Sequence, residues 1–139
     1  MKIIALVPSL LLAVVAAVTP AGSICLRYEP DTVALTGMLT RKVFPGRPNY
    51  ESVKDGDEPE TGFYLELAVP VCTVASPDSA NNNNGALQDV RLVQLVLDAA
   101  GYARLRPQLG HQTTLRGTMF AAFTGHHHAP LLLQVLRAP

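Results

Sequence analysis

This sequence has little of what usually marks a catalyst or a nucleic-acid binder. Its 139 residues include two cysteines, and its 11 basic residues are balanced by 11 acidic ones. A protein that holds a phosphate backbone needs a basic surplus, so nucleic acid is excluded as a partner. Serine is sparse. The chain carries no nucleophile elbow, no phosphate-cradling glycine loop and no zinc-protease helix motif. No enzyme is expected, and no residue is assigned a catalytic role. Apart from the segment at the start, no apolar run is long enough to span a bilayer, which takes about 20 residues.

That first segment, Met1 to Ser23, has the three parts of a secretory signal. Lys2 supplies the positive start, Ile3 to Val18 is apolar apart from Pro8 and Ser9, and Ala21-Gly22-Ser23 offers a cleavage site. The competing reading is an uncleaved anchor, but the run is short for one, is broken by Pro8 and ends in Thr19-Pro20. Ile24, not a small residue, precedes Cys25, which argues against a lipoprotein. Cleavage leaves residues 24–139 as a single domain, large enough to bury a core. Losing Lys2 takes the formal charge from zero to −1. The compartment expected is periplasmic or extracellular.

In an oxidising compartment an even cysteine pair reads as a bridge, here Cys25 to Cys72. A reactive or metal-binding thiol pair would want closer spacing. Closing so long a loop stabilises by up to about 4 kcal/mol on the chain-entropy model. Its role would be to tether the N-terminal arm.

Alternation with period two predicts strands at 33–43, 63–71, 112–123 and 131–136. Val33, Leu35, Gly37, Leu39 and Arg41 share one face of the first; Phe63, Leu65, Leu67 and Val69 share one face of the second. Gly37 and Gly117, each in mid-strand, suggest a bulge or a tight bend. Residues 89–97 fit either a helix or a strand, and their valine content favours a strand. Residues 98–109 read as a short helix with Tyr102, Leu105 and Leu109 inward, stopped by Gly110 and limited by Pro107. Two stretches are irregular: 44–62, with three prolines and three glycines, and 76–85 (SPDSANNNNG), expected to be a mobile surface loop. The resulting fold class is all-β with one short helix, an OB-like five-stranded barrel in the order β-β-β-α-β-β.

In such barrels the loops after strands one and four help form the ligand-binding face. Here these are the loop 44–62 and the turn 124–130, so the most unusual segments are expected to lie close together. The candidate ligand- or partner-binding residues are Tyr50, Asp57, Glu58, Glu60, His126, His127 and His128. His126 and His128 are two apart and would point the same way in extended backbone. The leading expectation is a small binding module for an envelope protein or small ligand, without a cofactor. The alternative is a zinc, copper or nickel site on His126 and His128, with Asp57, Glu58 or Glu60 facing them. The acidic loop lacks the ordered spacing of an EF-hand. Arg104 and Arg106 either bridge to these acids or face water.

Several short stretches then carry a likeness. Cys25-Leu26-Arg27-Tyr28-Glu29-Pro30, Pro48-Asn49-Tyr50-Glu51-Ser52-Val53 and Gly56-Asp57-Glu58-Pro59-Glu60-Thr61 form the first group. Arg104-Leu105-Arg106-Pro107, Leu109-Gly110 and Thr124-Gly125-His126-His127-His128 with Pro130 form the second. With these the chain resembles a bacterial family of small exported proteins catalogued as a domain of unknown function. The asparagine run 81–84 departs from that pattern. The resemblance implies one exported domain and brings no activity.

The leader has a direct check. Mass spectrometry of the protein expressed in a bacterium should find a chain that begins at Ile24 in the periplasmic or extracellular fraction. A full-length chain held in the inner membrane would contradict the reading.

Overall fold

The computed structural model describes residues 25–136, so the expected leader at 1–23 lies outside the described residues. Five strands close into a barrel: β1 (Thr32–Pro45), β2 (Pro59–Thr73), β3 (Leu87–Val96), β4 (Gln112–Ala121) and β5 (Leu131–Val135). Around the barrel they run β1-β2-β3-β5-β4, and β4 returns to β1. Neighbours are antiparallel except β3 and β5, which are parallel. A seven-residue helix, α2 (Ala99–Leu105), joins β3 to β4, and a single turn, α1 (Ser79–Asn82), precedes β3. The OB-like barrel expected from the sequence is the fold, and residues 89–97 are strand for nearly their whole length.

Closure depends on β1, which pairs with β4 from Thr32 to Met38 and with β2 from Met38 to Pro45. Gly37 sits where the strand changes partner. A Cβ there would stand 2.6 Å from the Glu66 carbonyl oxygen, and one on Gly117 would run into the Gln134 carbonyl. Both glycines serve close backbone approach between neighbouring strands. The bulge lies elsewhere, in β2, whose register with β3 shifts between Glu66 and Val71. The alternation breaks here: Val69, expected to share a face with Phe63, Leu65 and Leu67, is 77% exposed while those three are buried.

The core is the inner face: Leu35 and Leu39 from β1, Phe63, Leu65 and Leu67 from β2, Val93 and Leu95 from β3, Leu115 and Met119 from β4, Leu131 and Leu133 from β5. Helix α2 adds Leu105, with Tyr102 edge-on to Phe63 at 4.9 Å. Asp98 caps the helix by accepting the Gly101 N–H at 2.7 Å. The helical turn ends in a 3-10 segment at Arg106–Gln108, where Pro107 interrupts regular pairing.

Tyr28, from the N-terminal arm, fills the opposite end. Its hydroxyl donates to the Gly85 carbonyl at 2.7 Å and accepts from Thr73 Oγ1 at 3.0 Å. Burial raises its pKa, and the Thr73 bond only partly offsets this. The Cys25–Cys72 disulfide and the bridge between Leu26 and Thr73 hold the arm in place. The expected mobile loop 76–85 is corrected here. Asn84 is 2% exposed, and its Oδ1 accepts the Ala121 N–H at 2.8 Å, ending β4. A largely polar stretch still anchors to the barrel, because one buried amide satisfies a backbone donor.

The close approach at Gly117 generates a stability prediction. Overpacking of this kind costs about 1–3 kcal/mol, whereas a Cβ on Gly85 meets open space. Thermal melts should place Gly117→Ala well below wild type and Gly85→Ala near it. Equal melting temperatures would refute the close-approach account.

Candidate functional site

The site is assembled on the outer face of β2 and β3. Glu60 was expected in an irregular loop, but it belongs to β2, which begins at Pro59 and pairs Glu60 with Phe44. Alternation places Phe44, Glu60 and Tyr64 on the outside. Tyr64, on the face opposite Phe63 and Leu65, is nonetheless 1% exposed, covered in part by Phe44 at 5.4 Å. Burial, with smaller contributions from Tyr102 and Glu60, pushes its hydroxyl up to about 12. Beside Tyr64 in register stands Gln94 of β3.

Gln94 fastens the turn after β4 onto this face. Its Nε2 donates to the His126 carbonyl at 3.0 Å, and its Oε1 accepts the His128 N–H at 2.6 Å. One side chain thus satisfies two turn backbone groups, and this fixes how the histidines stand. His126 and His128 point the same way, as their spacing predicts. His126 Nδ1 lies 2.6 Å from Glu60 Oε1, and His128 Nε2 lies 2.7 Å from Glu60 Oε2. An ionised carboxylate only accepts, so both of those ring nitrogens carry the proton. The Tyr50 hydroxyl lies 3.4 Å from His126 Nε2. His128 stacks on Phe44 with ring centroids 4.9 Å apart and planes within 4°.

Glu60 is pulled two ways. Desolvation pushes its pKa up, but the hydrogen bonds and positive charge of His128 and His126 outweigh this and hold it below the ordinary 4.5. His127 faces the other direction. Its Nδ1 accepts the Phe123 N–H at 3.1 Å, and its ring packs edge-on to Phe123 at 4.7 Å. Desolvation, with repulsion from His126 and His128, lowers its pKa below 6.5 and favours the neutral form that an acceptor requires.

The β1–β2 loop is shaped by Asp57. Its carboxylate is buried and accepts three backbone N–H groups, from Asn49 at 2.9 Å, Glu51 at 2.7 Å and Ser52 at 2.8 Å. The Ser52 bond leads in lowering its pKa, followed by those from Glu51 and Asn49. This loop holds Tyr50 at φ 59, in the left-handed region. The ring lies so close to Gly125 that a Cβ there would stand 2.8 Å from it. The two loops therefore meet.

Of the residues singled out in the sequence, Glu60, His126, His128 and Tyr50 come together. Asp57 positions its own loop instead of facing a ligand, Glu58 is exposed outside the cluster, and His127 braces the turn. Gln94, Phe44 and Phe123 went unrecognised; Gln94 alone had a visible signal, a lone amide amid valine and leucine. The ring nitrogens facing Glu60 are engaged by its carboxylate. Among the described residues no group of three or more His, Cys, Asp or Glu could hold a metal ion, so the zinc, copper or nickel alternative gains no support.

The pKa directions generate a two-stage acid response. Both His127 and Glu60 have folded pKa values below their ordinary ones. Each contribution is therefore complete above the ordinary value and lost as pH falls through the folded one. Protection factors for amide exchange at residues 124–128, corrected for the intrinsic pH dependence of exchange, should fall first below pH 6.5 and again below pH 4.5, while those of the barrel strands hold. His127→Gln should abolish the first stage and Glu60→Gln the second. A single transition shared by turn and barrel would contradict this.

Neither the curated proteins nor the solved structures include a match to the chain. Among the described residues no helix is long and apolar enough to cross a membrane. The histidine turn, the Gln94 clamp, helix α2 and strands β4 and β5 all fall within residues 92–138, less than half of the chain, which match the family described as a domain of unknown function (DUF4431).

Proposed function

We propose that this chain is an exported binding module of the cell envelope, periplasmic or secreted, which takes a protein or small-molecule partner on the joined loops 44–62 and 124–130. The observation that carries the reading is the convergence of those loops on Glu60, over the outer face of β2 and β3. In OB-like barrels that face and those loops are where ligands sit. The surface they build combines features common in recognition sites. His126 is exposed, Phe123 is 60% exposed and Val53 is 42% exposed, so the two loops offer both polar and apolar groups. The barrel and the Asp57 and Gln94 clamps would pre-organise that surface, reducing the ordering cost of binding.

The disulfide supports export, because such bridges persist in oxidising compartments. The test compares oxidised residues 24–139 with a His126→Ala/Phe123→Ala double variant and with Val69→Ser, a substitution on exposed β2 outside the site. Each is immobilised and exposed to envelope extract. The reading expects one captured species to fall about tenfold with the double variant and to persist with Val69→Ser. Identical capture by all three would reject it.

A further inference from the structure

The ribbon of β1 and β2 that presents Glu60 on its outer face carries a second feature on the other. At the barrel end covered by α2 there is a cavity of about 450 Å³, lined by Arg41, Thr61, Phe63, Tyr102, Arg106 and Leu109. Its floor is apolar: Phe63 is buried, and Tyr102 and Leu109 are partly buried against the core. Its rim holds two guanidinium groups, from Arg41 on β1 and from Arg106 just after α2. Among the described residues neither arginine has a carboxylate within 4.0 Å. The ion pairs seen among the described residues involve Arg27, Lys42, Arg91, His126 and His128 instead. The acids of the 44–62 loop, considered as partners for Arg106 from the sequence, are not engaged by it.

Two unpaired guanidinium groups over an aromatic and aliphatic floor define a chemistry. Guanidinium presents a planar fork of N–H donors that matches a carboxylate. The floor would bury an apolar body, and the volume falls in the range of small-molecule sites. A phosphate dianion is a weaker fit, since such groups are usually also cradled by backbone N–H groups of a glycine loop or helix start. The cavity has neither in its lining. We infer that this cavity is a binding site for a small carboxylate with an aliphatic or aromatic body, separate from the loop surface. The site is independent of the proposed loop function, because it uses the opposite face of the ribbon and none of the histidines.

The test uses oxidised residues 24–139 and four probes: octanoate, 3-phenylpropionate, octanamide and octyl phosphate. Heteronuclear NMR should show the resonances of Tyr102, Leu109 and Thr61 moving with octanoate and phenylpropionate, saturably, below about 10 mM. Octanamide should bind at least about tenfold more weakly, since it lacks the charge. Arg41→Gln and Arg106→Gln should each weaken octanoate by about tenfold. Both arginines are exposed, and unchanged melting temperatures would confirm that the variants fold. Octanoate and octanamide binding equally, or octanoate binding unchanged in both arginine variants, would reduce the cavity to an apolar dent and overturn the inference. So would the absence of any saturable shift. Tighter binding of octyl phosphate than of octanoate would overturn the carboxylate assignment.

Discussion

A sheet of five short strands becomes a barrel only if one strand serves two partners along its length, and everything else here depends on β1 doing so. Its first half pairs with β4 and its second half with β2. The change falls at Gly37–Met38, where the backbone passes too near Glu66 to allow a side chain. Closure removes open sheet edges, which are aggregation hazards in an isolated small domain. It also sets the parallel β3–β5 contact, and so brings the β4–β5 turn beside Gln94.

From that contact the site follows by a chain of satisfied polar groups. Gln94 holds the turn backbone, the turn aims two histidines, and a single carboxylate on the neighbouring strand receives both. On the other side Asp57 gathers three N–H groups and presents Tyr50 to His126. Hydrogen bonds to charged groups are stronger than neutral ones, and their loss leaves a desolvated donor or acceptor. Such groups can order two long surface loops that have few apolar residues to pack.

The ends of the barrel are sealed differently. At one end the tethered arm inserts Tyr28, whose hydroxyl joins Thr73 and the backbone of the asparagine-rich segment. At the other, α2 covers the core with Leu105 and Tyr102 but leaves the arginine-rimmed cavity open. The family match at residues 92–138 takes in this helix and the histidine turn, but not the arm or the Asp57 loop. The resemblance motifs CLRYEP, PNYESV and GDEPET therefore lie outside the matched stretch, while RLRP and TGHHHAP lie inside it.

By itself the sequence determined the order of elements along the chain, the pairing of Cys25 with Cys72, a special backbone role for Gly37 and the shared direction of His126 and His128. All of these are local: alternation, a lone cysteine pair, a missing side chain, a two-residue spacing. The tertiary structure alone decided the rest. It exposed Val69 beside a register shift, buried Tyr64 on the outer face, and turned Asp57 inward upon its own loop. It also anchored Asn84 in a run that composition marked as free. Each of these turns on which backbone group lies opposite, and register between strands distant in sequence leaves no trace in a local pattern.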